Sequence, residues 1–140
     1  MAEASQQFDS NFKVLIIDDL GSARKILAKL LNQIGIKNIE EAKNGQEGLE
    51  KALSSDFNLI ISDWEMPVMT GLQLLKNVRS NDKTSKIPFI MITSHNKREV
   101  VIEAAEAGIS DFMSKPFTPE LLQSKIGNAL KKPVLVTKDL

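Results

Sequence analysis

A parallel sheet of five strands with helices on both faces is the fold that this sequence predicts, and three observations predict it. Short apolar runs of strand length alternate along the chain with stretches whose apolar residues recur at helical spacing. The connections between them are short, which is typical of chains that build a parallel sheet from alternating strands and helices. The central apolar run, residues 57–61, leads directly to Asp63 and breaks at Pro67, as expected of a buried strand that delivers a polar side chain to the sheet edge.

The size and composition fit one folded domain. The chain has 140 residues, of which 42% are hydrophobic and 26% charged, close to the average for globular proteins. Its 18 basic and 18 acidic residues cancel, so nothing favours nucleic acid or an anionic membrane as the partner. The absence of cysteine excludes disulfides and thiolate metal sites, and no apolar run reaches the roughly 18–20 residues of a spanning helix. We therefore expect a cytoplasmic protein that is not inserted in a membrane.

A short apolar run and a stretch with apolar residues at helical spacing predict the first strand and the first helix. Residues 13–17 form a β-branched run that predicts a buried strand. Gly21 opens a helix with apolar residues at helical spacing, and Gly35 ends it. A weaker second strand is predicted over residues 36–42.

The middle of the chain carries two helix starts with capping chemistry. Asn44, with Glu47 three residues later, begins a helix that runs to about Leu53. Residues 57–63 form the third predicted strand. Thr70 and Gln73 then make a capping-box pair in front of the third helix.

The last third repeats the alternation. Residues 87–93 form the fourth strand, a helix capped by Asn96 ends at Gly108, and residues 109–114 form a short fifth strand. The sequence Thr118-Pro119-Glu120 is a strong start for a last helix, which is predicted to reach about Lys131.

These elements assemble into one doubly wound domain. Right-handed crossovers leave few topologies, and the flavodoxin-like strand order 2-1-3-4-5 suits this length. We expect a flexible leader over residues 1–11, the folded domain over 12–131 and a C-terminal extension over 132–140.

Polar residues end four of the five predicted strands. Asp18 and Asp19 follow the first strand, Asp63 ends the third, Thr93 ends the fourth and Lys115 follows the fifth. Because the carboxyl ends of parallel strands meet at one edge of the sheet, these side chains are predicted to share a crevice. Each has an ordinary alternative: the two aspartates can cap a helix, the threonine can be structural, and the lysine can be a solvated surface charge. Their joint occurrence at four strand ends favours a functional site.

Three carboxylates in one crevice repel each other, so either the pKa of at least one of them is raised or a cation binds between them. Two like charges about 4 Å apart repel by roughly 4 kcal/mol at an effective dielectric constant near 20. Oxygen ligands without cysteine favour Mg²⁺. Lys115 can pair with Asp63 or with a phosphoryl oxygen, and the Thr93 hydroxyl can donate to the same oxygen. A carboxylate nucleophile, a divalent metal and a cation are the parts of a phosphoryl-transfer site, with Asp63 as the candidate nucleophile.

The motif residues resemble the receiver domain of two-component response regulators. The resemblance covers about residues 12–131, and its motifs are specific in combination. With no fused output domain in the sequence, the chain is most similar to the single-domain chemotaxis members of that family. The resemblance is carried by Asp18-Asp19, Asp63-Trp64-Glu65-Met66-Pro67-Val68-Met69-Thr70-Gly71, Thr93-Ser94 and Lys115-Pro116-Phe117.

The resemblance implies a site in which Asp63 accepts a phosphoryl group from a histidine kinase. It implies that Asp19, Asp63 and the backbone carbonyl of Glu65 ligate Mg²⁺, with Asp18 acting partly through water. It also implies that Thr93 and Lys115 hold the phosphoryl oxygens and that the Lys115–Pro116 bond is cis, which an X-Pro bond tolerates at small cost.

The resemblance also implies a switch rather than an enzyme. Phe112 occupies the position of the family's switch aromatic, which is expected to move with Thr93. The switch is expected to be a monomer that does not bind nucleic acid and that signals to a protein target, of which a flagellar motor switch component is one candidate. The expected partner face, formed by helix 4, strand 5 and helix 5, includes Lys97, Arg98, Val101, Ala105 and Phe112. For Val101 and Ala105, ordinary packing of an amphipathic helix is the alternative.

Three residues depart from the family pattern. Phe112 stands where chemotaxis members often carry tyrosine, so it has no hydroxyl for a partner or for Thr93. Glu65 stands where asparagine is frequent, and His95 lies two residues after Thr93. Both are candidate modulators of dephosphorylation; for His95 an exposed loop residue is the alternative.

A phosphate sink or a receiver outside chemotaxis is the alternative function, since it uses the same site. Two functions of other classes fit the sequence less well. A Mg²⁺-dependent phosphohydrolase of the haloacid-dehalogenase type wants a second aspartate two residues after the nucleophile, where this chain has Glu65. An FMN carrier would place its phosphate beside three carboxylates, and one Trp and no Tyr leave little to stack on the flavin.

Overall fold

The protein is described by a computed structural model over residues 8–94 and 98–132. Five strands and five helices alternate along these residues. The strands are β1 Lys13–Ile17, β2 Asn38–Ala42, β3 Leu59–Asp63, β4 Phe89–Thr93 and β5 Asp111–Ser114. The helices are α1 Gly21–Gln33, α2 Gly45–Ser54, α3 Gly71–Ser80, α4 Arg98–Glu106 and α5 Pro119–Lys131.

The strands form one parallel sheet in the order β2-β1-β3-β4-β5. This confirms the predicted fold class and strand order. In the register of the sheet, Ile17 pairs with Ser62, Asp63 with Ile92, and Thr93 with Ser114. The carboxyl ends of β1, β3, β4 and β5 therefore lie side by side at one edge.

Each face of the sheet packs against its own layer of helices. Alternate strand residues point to opposite faces, so Leu15 and Ile17 join one apolar cluster and Val14 and Ile16 join the other. The first cluster contains side chains of α2, α3 and α4, and the second contains those of α1 and α5. Fully burying one such aliphatic side chain contributes about 1.5–3 kcal/mol, so this two-sided core accounts for the apolar character of the strands.

Strands β2 to β5 begin later than their apolar runs predicted. The predicted starts at residues 36, 57, 87 and 109 each lie two residues before the observed ones. Ile36, Phe57 and Ile109 are buried, and Ile87 packs against the core, although none of them belongs to a strand. The apolar pattern reports burial, and burial begins in the loop before strand pairing does.

Capping side chains fix the starts of three helices. Asn44 accepts a hydrogen bond from the Glu47 N–H at 2.8 Å, and Thr118 accepts one from the Leu121 N–H at 3.1 Å. Thr70 and Gln73 form the predicted capping box. Such a cap contributes about 1 kcal/mol to stability.

The chain ends are described in part. Phe8 packs against the cluster beneath α1 and α5, and its ring centroid lies 4.9 Å from that of Phe12. Residues 1–7 of the predicted leader and residues 133–140 of the predicted extension lie outside the described residues, so both boundaries stay predictions. In the described part of the chain, no helix has the length and apolar character needed to cross a bilayer.

Candidate functional site

Three acidic side chains converge at the carboxyl edge of the sheet. Asp18 and Asp19 follow β1, and Asp63 is the last residue of β3. One carboxylate oxygen from each of the three lies within 4.8 Å of the other two. Asp18 and Asp63 are each only 8% exposed, whereas Asp19 is exposed. The structure thus brings together the three aspartates singled out in the sequence.

Backbone hydrogen bonds hold the two loops that carry these aspartates. The Asp18 N–H donates to the Ala42 carbonyl at 3.2 Å, and the Leu20 N–H donates back to Asp18 Oδ1 at 2.9 Å. After β3, the Trp64 N–H donates to the Ile92 carbonyl at 2.8 Å. Asp18 and Asp63 therefore project from backbone that is tied to neighbouring strands.

Lys115 is the cation of the cluster. Its Nζ lies 3.3 Å from Asp63 Oδ1 and 3.9 Å from Asp18 Oδ2. Its ammonium cannot neutralise three carboxylates, so the cluster keeps excess negative charge when all of them are ionised. The side chain is 36% exposed, which leaves room for it to reorient toward a ligand.

The electrostatics of the two buried aspartates follow from this arrangement. Burial raises the pKa of the Asp18 carboxyl above its ordinary value. Burial also raises the pKa of Asp63, and the negative charge of Asp18 adds to that effect. Lys115 opposes both shifts by favouring the ionised carboxylates. The folded protein therefore holds its central carboxylates in an environment that disfavours their charge.

Thr93 and Lys115 are fixed to each other by the sheet. Thr93 ends β4 and is 2% exposed, and its carbonyl accepts a hydrogen bond from the Lys115 N–H at 3.1 Å. The peptide bond between Lys115 and Pro116 is cis, as expected from the sequence. The hydroxyl-bearing residue and the cation thus lie on adjacent strand ends.

The loop between β3 and α3 forms one rim of the site. Val68 has a φ of +70° and is 95% exposed. This left-handed conformation is an outlier for a β-branched residue and marks a strained loop. Across the site, the Ser94 hydroxyl donates to Glu65 Oε1 at 3.2 Å, so the loops after β3 and β4 are in contact.

The other predicted residues lie around the cluster or outside the description. Phe112, in edge strand β5, packs against the apolar cluster on the α4 side, and Lys125 Nζ lies 5.4 Å from its ring centroid. His95 and Lys97 lie outside the described residues, and Arg98 is the first residue of α4.

Ala105 requires a correction. It is only 5% exposed, so ordinary packing accounts for it and it contributes little to a partner surface. Val101, four residues earlier on α4, is half-buried, and its place in a partner face stays a prediction.

Sequence reasoning missed Arg24. Its Nη1 donates to the Asp18 carbonyl at 2.6 Å and its Nε donates to Glu41 Oε1 at 2.9 Å. A signal was present: a basic residue in the first turn of a helix opposes the helix dipole, which normally favours an acid there. Helix α1 has no acid in its first turn.

The donors at this site fit a divalent cation such as Mg²⁺. They are hard carboxylate oxygens close enough together to contact one ion, and they carry more negative charge than Lys115 balances. Burial raises the pKa of both Asp18 and Asp63, so the ionised form of each carboxyl is disfavoured in the folded protein. A cation bound there would favour the ionised form of both groups.

Comparisons with known proteins agree with this fold. Residues 14–127 match the family model described as "Response regulator receiver domain". The chain is 39% identical over 124 residues to "Chemotaxis protein CheY-3" of Vibrio cholerae, covering 89% of this chain and 95% of that protein. It is 40% identical over 114 residues to "Chemotaxis protein CheY" of Pseudomonas aeruginosa, covering 81% of this chain and 92% of that protein.

A solved structure is similar as well. The chemotaxis response regulator CheY4 of Vibrio cholerae superimposes with a TM-score of 0.78 at 36% identity, covering 83% of this chain and 96% of that one. A family model that spans most of the chain, relatives of nearly equal length and a shared fold all point the same way. The chain belongs to the response regulator receiver domain family.

Proposed function

We propose that this protein is a stand-alone response regulator that accepts a phosphoryl group on Asp63 and changes its binding to a protein partner. The observation that carries the proposal is the position of Asp63: its Oδ1 lies 3.3 Å from Lys115 Nζ, in a cluster of three carboxylates at the carboxyl edge of the sheet. Transfer of a phosphoryl group to a carboxylate requires that carboxylate as the nucleophile, a nearby cation and a site for a divalent metal.

The transfer uses the ionised carboxylate of Asp63 as the nucleophile. One of its oxygens attacks the phosphorus of a phosphohistidine that is protonated on its other ring nitrogen. The new P–O bond forms as the P–N bond breaks, and the histidine leaves as neutral imidazole. Burial raises the pKa of Asp63 and so disfavours its ionised form, whereas Lys115 lowers that pKa and favours it. Lys115 Nζ and the Thr93 hydroxyl then donate to the phosphoryl oxygens.

Asp18, Asp19, Asp63 and the backbone carbonyl of Glu65 are the residues that would hold Mg²⁺. When bound, this ion neutralises charge on the carboxylates and on the transferred phosphoryl oxygens. The three carboxylates supply hard oxygen donors, and the Glu65 carbonyl would supply a further one.

The response is a change in packing near β5. A phosphoryl group on Asp63 adds negative charge and acceptor oxygens, which favour an inward position of the Thr93 side chain. Phe112, only partly buried in edge strand β5, then fills the space that Thr93 leaves. Complete conversion from a 1:99 equilibrium needs about 5.5 kcal/mol of differential stabilisation, and a partial shift needs less.

The proposed partner face combines α4, β5 and α5. Val101 and Phe112 are partly buried apolar residues, and the sequence adds the positive charges of Lys97 and Arg98. A face of this kind suits a peptide that carries apolar and acidic residues. Because the relatives are chemotaxis proteins, the proposed donor is a histidine kinase and the proposed target a protein of the flagellar motor switch. We place the protein in the cytoplasm as a monomer that does not bind nucleic acid.

Dephosphorylation is proposed to depend on the two loops above Asp63. Glu65 and Ser94 are in contact across the site, so the Glu65 carboxylate lies where it affects the approach of water to the phosphoryl group. His95, two residues after Thr93, is the second proposed modulator.

The test is intact-mass analysis after incubation with acetyl phosphate and Mg²⁺. The parent protein is expected to gain one phosphoryl group and Asp63→Asn none, whereas the exposed-site control Asp56→Asn behaves like the parent. Retention of phosphate by Asp63→Asn, or rapid turnover of unrelated phosphate esters with no phosphate retained, would contradict the proposal.

A further inference from the structure

Arg24 lies outside the carboxylate cluster, yet it contacts the backbone that positions the cluster. We infer that Arg24 is a positioning residue that fixes the turn after β1 and thereby sets the affinity of the site for Mg²⁺. This inference rests on the proposed function, because it concerns the same cation site.

The Arg24 guanidinium makes two hydrogen bonds in different directions. Nη1 donates to the Asp18 carbonyl at 2.6 Å, and Nε donates to Glu41 Oε1 at 2.9 Å. Glu41 belongs to β2, so the side chain spans from α1 across the end of β1 to the neighbouring strand. The Arg24 side chain is 19% exposed, so these bonds are partly shielded from competing water.

The bonded carbonyl belongs to the turn that carries Asp18 and Asp19. Two further hydrogen bonds hold that turn. The Leu20 N–H donates to Asp18 Oδ1 within the turn, and the Asp18 N–H donates to the Ala42 carbonyl of β2. Leu20 is the N-cap of α1 and makes no side-chain capping bond. The charged bond from Arg24 is the shortest of these hydrogen bonds. It acts on the carbonyl of the peptide between Asp18 and Asp19, which is how we infer that it orients these two ligands.

Because Arg24 is positively charged, the direction in which its removal changes the Mg²⁺ affinity tests the inference. A positive charge near a cation site repels the cation, so electrostatics alone predicts that removing Arg24 tightens Mg²⁺ binding. Loss of positioning predicts the opposite, since misplaced ligands bind a metal less tightly. Substitutions of residues that orient metal ligands commonly weaken metal binding about 10–100-fold. The two effects have opposite signs, and the measured direction separates them.

The experiment is titration of the full chain with Mg²⁺, followed by the fluorescence of Trp64, the only tryptophan and the neighbour of Asp63. Arg24→Ala is expected to raise the Kd for Mg²⁺ about 10-fold. Glu41→Gln keeps the charge of Arg24 but weakens its anchor on β2, so a smaller rise of about 2–3-fold is expected. Arg24→Lys should recover part of the affinity, since one ammonium replaces one of the two bonds.

Lys25→Ala is the matched control. Lys25 is the next residue on α1, is exposed, and carries the same charge. Its removal should leave the Kd unchanged or lower it slightly. Thermal unfolding of each variant in EDTA reports folding separately, and Glu41→Gln and Arg24→Lys keep the test decisive if Arg24→Ala does not fold.

Two results would overturn the inference, and they distinguish a failure of the role of Arg24 from a failure of the cation site itself. If Arg24→Ala binds Mg²⁺ as tightly as the parent or more tightly, the positioning role of Arg24 is wrong while the proposed function stands. If the parent protein itself shows no response to Mg²⁺, the proposed cation site fails and this inference fails with it.

Discussion

Asp63 must satisfy two opposed requirements as a single residue. The proposed function needs an ionised Asp63 as the nucleophile, yet its burial and the nearby charge of Asp18 both raise its pKa. Lys115, 3.3 Å away, favours the ionised form, and in the proposed mechanism it also donates to the phosphoryl group. A cation bound beside Asp63 would therefore favour its ionised form.

The first prediction is that Asp63→Asn stabilises the protein in the absence of metal. The substitution keeps the shape of the side chain and removes a buried charge from a cluster with excess negative charge. We expect the free energy of unfolding at neutral pH to rise by about 1 kcal/mol, a change of roughly 3–5 °C in Tm. Chemical denaturation in EDTA measures it, with exposed Asp56→Asn as the control. A loss of stability in Asp63→Asn alone would show that the ion pair with Lys115 outweighs the repulsion.

The second prediction concerns pH. The pKa values of Asp18 and Asp63 are raised above the ordinary 3.8 in the folded protein, so the folded state holds these protons more tightly than the unfolded chain. Their contribution to stability is present below pH 3.8 and is lost as the pH rises through the folded values. Urea unfolding between pH 3 and pH 7 should therefore show the stability advantage of Asp63→Asn growing with pH. An advantage that is constant across this range, or that shrinks, would contradict the assigned direction.

At the scale of elements, the site depends on the carboxyl ends of four of the five strands. Asp63 ends β3 and Thr93 ends β4, while Asp18 follows β1 and Lys115 follows β5. Helix α1 begins at Gly21, four residues after β1, and α5 at Pro119, five residues after β5, whereas the loop from β3 to α3 is longer. The polar groups therefore lie where a strand meets a loop. This arrangement gives a precise site with little chain to order.

Gly71 is the element-scale position where substitution is predicted to be most costly. It is the first residue of α3, and an added Cβ would meet the Asp63 carbonyl, the Met91 Sδ at 2.6 Å and the Trp64 Cα at 3.0 Å. Gly71→Ala is therefore expected to lower the free energy of unfolding by about 1–3 kcal/mol and to weaken Mg²⁺ binding, because β3 and its loop must shift.

Gly21→Ala is the control for Gly71→Ala. Gly21 also opens a helix, and an added Cβ there meets only Arg24 Nη2 at an ordinary 3.5 Å. It is expected to be neutral or slightly stabilising. Thermal unfolding and Mg²⁺ titration of both variants measure the contrast, and equal effects at the two glycines would contradict the close packing of Gly71.

The elements were predictable from sequence because their signals are local. Thr70 with Gln73, Asn44 with Glu47 and the Thr118-Pro119 pair each place a helix start within a residue of the observed one. Strand starts were less accurate, since residues such as Ile36 and Phe57 are buried before pairing begins. Local patterns therefore fix where a helix begins more sharply than where a strand does.

At the scale of the whole molecule, the topology was predictable and the contacts that support the site were not. Right-handed crossovers restrict the strand order, and that order alone brings Asp18, Asp63 and Lys115 to one edge. The bond from Arg24 to the Asp18 carbonyl and the burial of Ala105 depend instead on how α1 and α4 sit on the sheet. Side-chain patterns do not specify such placements.

A whole-molecule prediction is that Mg²⁺ raises the Tm and that EDTA reverses the effect. A ligand that binds only the folded state at 10 times its Kd stabilises it by about 1.4 kcal/mol. Asp19→Asn should lose most of this stabilisation, because it removes one of the three carboxylates. Differential scanning calorimetry with and without Mg²⁺ measures the shift. A Tm that Mg²⁺ raises equally in the parent and in Asp19→Asn would show that the ion binds elsewhere.

The central claim is that one carboxylate of this cluster, Asp63, carries the phosphoryl group, and chemical mapping tests it most directly. Borohydride reduces an acyl phosphate to the corresponding alcohol, so reduction of the acetyl phosphate-treated protein and peptide mass analysis locate the modified residue. We predict reduction at position 63 only, dependent on Mg²⁺ and absent from Asp63→Asn. Reduction at Asp18 or Asp19, or at no residue while intact-mass analysis shows retained phosphate, would contradict the account.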